Sequence, residues 1–343
     1  MSPSLVDLNF DVLVYMCNEL HTSQDGRKSL NALSLTSHQM RAAALPRLFR
    51  TMHVGGSLRK CTESMRGLLA TATPAQNVRS FTVYLSGLRD YSYGDEQASA
   101  IAEAQLPEDA TAFSAMLVDL LNAAEGLQHF ALVVGPKIYP RSAATFISST
   151  LNPTLSASRL HLPNMASLVL PSSCTALAEA CPSVVHLQLD VWGQRDTSEL
   201  EVDMEAQIWG TQVDVASLQV TIRLTRDLKF VQAMTESMHH LTSLDIRARM
   251  RFSEQISCLS HLRRIHTLTL RQYEFPGSCT LGRRRHDSEQ LMAAIRTETK
   301  ETKRSARRFL PQLRTLRIGE TVYNLSKLQT HSLDELDALE AET

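Results

Sequence analysis

Apolar residues recur at helical spacing from Leu8 onward. Phe10, Leu13, Cys17 and Leu20 fall on one side of a predicted helix, and Val12 and Met16 form a second stripe. After the polar break "HTSQDGRK", Ser29 is the predicted N-cap of a short helix carrying Leu30, Leu33 and Leu35. Ser37 is the predicted cap of a third helix running toward Leu45, which Pro46 interrupts or restarts. Three short helices make a thin core, and a helix with apolar stripes on two sides needs a second covering surface.

Beyond residue 56 the pattern changes. The nonapeptides "LPNMASLVL" (162–170), "CPSVVHLQL" (181–189) and "LPQLRTLRI" (310–318) share one arrangement of apolar positions. Looser copies are Val78-Phe81-Val83, Leu127-Phe130-Leu132, Val215-Leu218-Val220, Leu241-Leu244-Ile246 and Ile265-Leu268-Leu270. Several follow a helical segment, as in "TAFSAMLVDLLNAAEGLQHFAL" and "DLKFVQAMTESMHHLTSLDI". Self-similarity of this kind marks a repeat architecture. In each unit the last two apolar residues alternate along a short strand and point inward, the first anchors a turn, and the preceding helix covers the core. Proline ends the helix before the strand. Leu168, Leu187 and Leu316 are therefore expected at equivalent core positions.

Residues 5 to 54 carry a resemblance. Leu8-Asn9-Phe10-Asp11-Val12-Leu13, Met16, Leu20, the run Ser29 to His38, Arg41 and the closing "ALPRLFRTMHV" resemble an F-box of the type common in fungi. Asn9 stands where the family usually has proline, Asp11 where it has glutamate, and His38 where it often has lysine or arginine. The resemblance implies binding to a Skp-family adaptor and, through it, to a cullin-RING ubiquitin ligase. Carried over by position, Leu8, Asn9, Val12, Leu13, Leu30, Leu33 and Leu35 would lie in or beneath the adaptor contact. The later units resemble the divergent leucine-rich repeats that follow many F-boxes, without an asparagine ladder and with irregular spacing.

The expected fold class is thus α/β: a three-helix F-box-like module (1–55), an irregular leucine-rich-repeat-like α/β solenoid (56–330) and an acidic tail (331–343). A length of 343 residues suits several domains or an elongated repeat better than one core. The hydrophobic content of 43% is that of a folded protein. A net charge of -1 gives no global field to attract nucleic acid or an anionic membrane, so neither is an expected partner. No apolar run reaches membrane-spanning length. Asp7 and Asp11 in the first apolar stretch, with no preceding basic residue, argue against a secretory leader. The six cysteines form no C-x-x-C pair and suit free thiols in the cytoplasm or nucleus.

No G-x-S-x-G, H-E-x-x-H, phosphate-binding loop or dinucleotide fingerprint occurs, and His261 and His266 miss the i, i+4 spacing of helical metal ligands. The expectation is a protein that is not an enzyme and takes no cofactor or metal. The basic stretch from Gly282 to Phe309 reads as a solvated helix face, with a phosphate-reading patch or a nuclear localisation signal as the alternatives. All of the seven tyrosines but Tyr15 fall at or just after a proposed strand. On that placement Tyr139, Trp192, Tyr273, Phe275 and Tyr323 are candidates for contact with an unknown target protein, against the alternative that they pack under their own loops. The functional expectation is the substrate-recognition subunit of an SCF-type ligase. The alternative is a leucine-rich-repeat interaction scaffold with no ligase role.

Overall fold

The computed structural model describes residues 8–22, 25–70, 72–88, 96–135, 138, 140–191, 199–213, 215–222, 227–248, 252–257, 259–272 and 288–325. The fold is α/β, with ten strands among the described residues. The chain divides into two units, Met1–Leu168 with Ala180–Ser183, and Val169–Glu179 with Val184–Thr343.

The first unit begins with helices α1 (Phe10–Thr22), α2 (Gly26–Ser34) and α3 (His38–Leu48). Ser37 caps α3 as the sequence predicts, its hydroxyl accepting from the Met40 amide at 3.1 Å. Two other predicted boundaries move. Asp25, not Ser29, precedes α2, and Ser29 donates its amide to the Asp25 carbonyl inside the helix. Pro46 does not end α3, which continues to Leu48, because the bond from the Phe49 amide to the Leu45 carbonyl carries the backbone past it.

Strand β1 (Thr51–Gly56), helices α4 (Leu58–Leu69) and α5 (Ala72–Asn77), strand β2 (Ser80–Leu85), helix α6 (Glu96–Ala123) and strand β3 (His129–Val134) follow. β1, β2 and β3 pair in parallel, in chain order. β1 overlaps the end of the stretch assigned from sequence to the F-box resemblance, and its single buried residue, Val54, gave no alternation to read. Phe81 and Phe130 are register partners on β2 and β3, and their rings stack at 6.1 Å. Ser57 caps α4, which buries Leu58, Cys61 and Met65. Helix α7 (Pro140–Phe146), a π-helical turn (Ile147–Leu151) and helix α8 (Asn152–Ala157) complete this part, with Phe146 packed edge-on against Phe113 of α6.

Strand β4 (Ser167–Pro171) and helix α9 (Ala176–Ala180) fall where the chain passes between the units. The second unit then holds strand β5 (His186–Val191), helix α10 (Glu199–Gln212), strand β6 (Ser217–Ile222), helix α11 (Asp227–Glu236), strand β7 (Ser243–Ala248), helix α12 (Phe252–Ser257), strand β8 (Thr267–Gln272), helix α13 (Ser288–Phe309) and strands β9 (Thr315–Ile318) and β10 (Thr321–Asn324). β5 to β9 are parallel and adjacent in chain order, and β10 turns back antiparallel to β9. Gly319, at φ +59°, makes that tight return. β10 is too short and too exposed to show a strand period in sequence.

All eight sequence copies begin or contain a strand, β2 through β9. Leu168, Leu187 and Leu316 are at most 2% exposed, as expected of equivalent core positions. A backbone feature repeats with them. The carbonyl of Arg50, Arg79, Gln128, Ala216, Thr242 or His266 in each case accepts two successive amides from the next copy, at 2.8–3.0 Å. This fixes the register of each strand against the one before it, satisfying backbone donors that the turn would otherwise strand. Trp209 of α10 is fully buried, its Nε1 donating to the Ser172 carbonyl at 2.7 Å. Cys17, Cys61, Cys174 and Cys181 are buried and form no disulfide, and burial pushes the Cys181 thiol up to about 12.

Candidate functional site

The apolar residues of α1 to α3 separate into a closed core and a remainder. Asn9 starts α1: its side chain accepts from the Asp11 amide at 3.2 Å and its carbonyl from Val12 and Leu13. Leu13 and Cys17 then bury against Leu30 of α2 and Met40, Ala43 and Ala44 of α3. Leu8, Val14, Met16, Leu20, Leu33 and Leu48 pack around this cluster, half-buried. Arg47 Nε donates to Asn18 Oδ1, tying α3 to α1. Burial raises the Cys17 thiol, with the Arg47 charge pulling it partly back.

What the cluster does not cover is Val12 at 44% exposed, Tyr15 at 63%, Leu35 at 70% and Phe10 at 43%. Val12 and Tyr15, three apart on α1, share a side, and Leu35 sits at the C-cap of α2. Phe10 was expected on the buried side of α1. It lies in the first turn, where side chains lean toward the helix N-terminus and so away from the core that Leu13 and Cys17 reach. The carried-over set thus divides three ways. Leu13 and Leu30 are core, Leu8 and Leu33 are half-buried, and Val12, Leu35 and the capping Asn9 face outward. A depression of about 520 Å³ nearby is lined by Asp25, Arg27, Lys28, Asn31, Leu48 and Phe49.

Of the proposed target-contact aromatics, Tyr139, Trp192, Tyr273 and Phe275 lie outside the described residues. Tyr323 is half-buried on β10 with the Lys303 ammonium of α13 over its ring, 3.9 Å from the centroid, a contact that also accommodates a lysine only 6% exposed. His261 is engaged by the Thr235 hydroxyl at 2.8 Å. Among the described residues no group of three or more His, Cys, Asp or Glu side chains could hold a metal ion. No described helix is long and apolar enough to cross a membrane.

A second constellation was not anticipated. On β7 to β9 the inward residues Leu244, Ile246, Leu268, Leu270 and Leu316 are fully buried. The alternate positions carry Asp245, Arg247, Arg271 and Arg317, all half-buried on the opposite face. Arg271 pairs with Asp245 at 3.0 Å. Arg317 turns its Nε to the Gly319 carbonyl and a terminal nitrogen to Glu320 at 2.7 Å. Burial pushes the Asp245 carboxyl above the usual carboxylate range, against the pull of the Arg271, Arg247 and Arg317 guanidiniums. The signal lay in "LDIRA", "LTLRQ" and "LRI", where charges alternate with leucines. Attention to aromatics and to the leucines themselves passes over it.

No family model matches the chain. No curated protein matches it either.

Proposed function

We propose that this protein is the substrate-recognition subunit of a cullin-RING ubiquitin ligase. In this reading α1 to α3 are an F-box-like module whose outward residues Asn9, Val12, Tyr15 and Leu35 meet a Skp-family adaptor, with the half-buried Leu8 and Leu33 and the core residues Leu13 and Leu30 in or beneath the contact. The strand units stack as a leucine-rich-repeat-like solenoid that takes the target protein. The chain itself does no covalent chemistry; ubiquitin is transferred by the partner ligase, in the cytoplasm or nucleus.

One observation carries the reading. The three helices close a core of their own and still leave large apolar side chains in water on α1 and at the end of α2. Burying one such side chain is worth about 1.5–3 kcal/mol, so a partner that covers several gains substantially. The sequence pattern of the same residues resembles the adaptor-binding module, and the repeated strand units that follow fit a recognition domain.

The test is co-purification of the full chain with a Skp-family adaptor. Wild type is expected to capture it, and the double variant Val12→Asp with Leu35→Asp to lose capture while keeping its unfolding midpoint, since both positions face solvent. A folded wild-type protein that captures no adaptor would leave the strand units as an interaction scaffold without a ligase role.

A further inference from the structure

Arg247 and Arg271 are direct register partners on β7 and β8, on the same outward face. Neighbouring strands lie about 4.8 Å apart, and like charges set opposite each other at that spacing destabilise a sheet. The nearby acids do not balance them. Asp245 is shared among Arg271, Arg247 and Arg317, and Glu320 serves Arg317 from an exposed turn. Among the described residues the Nε atoms of Arg247 and Arg271 are both buried without an acceptor, and Asp245 Oδ1 is buried without a donor. Buried donors without acceptors are uncommon in folded proteins and ask for an explanation. Two adjacent guanidinium forks with two spare Nε donors against one spare carboxylate oxygen leave a demand for further oxygen acceptors carrying negative charge.

The shape of that demand selects the anion. A carboxylate offers two oxygens and can match at most one fork, and Asp245 reaches Arg271 through Oδ2 alone. A phosphoryl group carries a charge of about -1.5 to -2 and three acceptor oxygens, enough to engage two forks at once. Hydroxyls flank the position on the neighbouring strands: Thr221 of β6 is the register partner of Arg247, and Thr269 of β8 lies between Asp245 and Arg317.

We infer that the outward face of β7 to β9 is a phosphoryl-binding site, with Arg247 and Arg271 as its forks and Arg317 at its edge. The group arrives either on a protein side chain or as a small free phosphate. In the first case the inference rests on the proposed function and names what the receptor reads. It stands on the second unit alone, so anion binding and adaptor capture can fail separately.

The experiment titrates the purified full chain with inorganic phosphate and with a phosphoserine peptide, using the unphosphorylated peptide as control and isothermal calorimetry as readout. Phosphate or the phosphopeptide is expected to bind, and Arg247→Gln or Arg271→Gln to weaken binding by roughly tenfold or more, as loss of charge-assisted hydrogen bonds does. Arg247→Lys, which keeps the charge and loses the fork, is expected to fall between wild type and Arg247→Gln. A peptide that binds at least about tenfold tighter than phosphate assigns the protein-borne source, and equal affinities assign the free one. Failure of both probes to bind, or binding unchanged in a folded Arg247→Gln, Arg271→Gln double variant, overturns the inference. An adaptor pull-down on the same preparations keeps that result distinct from failure of the ligase reading.

Discussion

β1 to β3 and β7 to β9 bury their inward residues in the same way and differ on the other side. In the first group Val54, Phe81, Val83, Phe130 and Leu132 point inward, and the alternate positions hold His53, Gly55, Thr82, Tyr84, Ala131 and Val133, with no carboxylate or guanidinium. In the second, Leu244, Ile246, Leu268, Leu270 and Leu316 point inward, and the alternate positions carry Asp245, Arg247, Arg271 and Arg317. Folding needs only the inward set. The outward set is free to vary, and half-burying three guanidiniums there costs desolvation that the fold does not require. That difference locates the chemistry of the strand region in its second unit.

The largest expected effects show that the inward sets are equivalent. Leu132→Ala and Leu244→Ala should each cost about 2–5 kcal/mol in denaturant unfolding, although their outward neighbours differ in charge. A loss near zero at either would mean that the repeat does not extend through that strand. A smaller effect sharpens the contrast. Without ligand, Arg247→Gln relieves the like-charge pair and should raise stability by about 0.2–1 kcal/mol at low salt, an advantage that added salt erodes. A clear destabilisation would mean that Arg247 is held by packing the contrast ignores.

The smallest effect is in the pH profile. The Asp245 carboxyl titrates above its unfolded value, so the folded protein holds that proton more tightly than the unfolded chain. Stability from this group is fully present below about pH 3.9 and is lost as pH rises through the folded value. Asp245→Asn abolishes the dependence. The stability of the variant relative to wild type should therefore increase on going up from about pH 3.5 and then level off. A constant difference across that range would place the raised titration elsewhere.

Much of this was legible in the sequence, for a physical reason. Strand alternation is a local rule, and "LPQLRTLRI" or "LTSLDI" states it without reference to the rest of the chain. The α3 cap at Ser37 was legible for the same reason. The elements missed were those without a local period: β1, with Val54 as its one buried residue, and β10, exposed at all but Tyr323. The split of the apolar α1 residues was not readable, because sequence spacing puts Phe10 and Leu13 on one side and only the positions of α2 and α3 decide which is covered. The arginine cluster depends on register between strands far apart in the chain, Arg247 against Arg271 and Asp245 in line with Arg317, and no single segment contains it.

The most direct measurement of the proposed ligase role is hydrogen exchange of the full chain with and without a purified Skp-family adaptor. The account predicts that added adaptor slows exchange in α1 and α2 and leaves β5 to β9 unchanged. Protection confined to the strands, or no change in α1 and α2 of a folded protein at saturating adaptor, would contradict it.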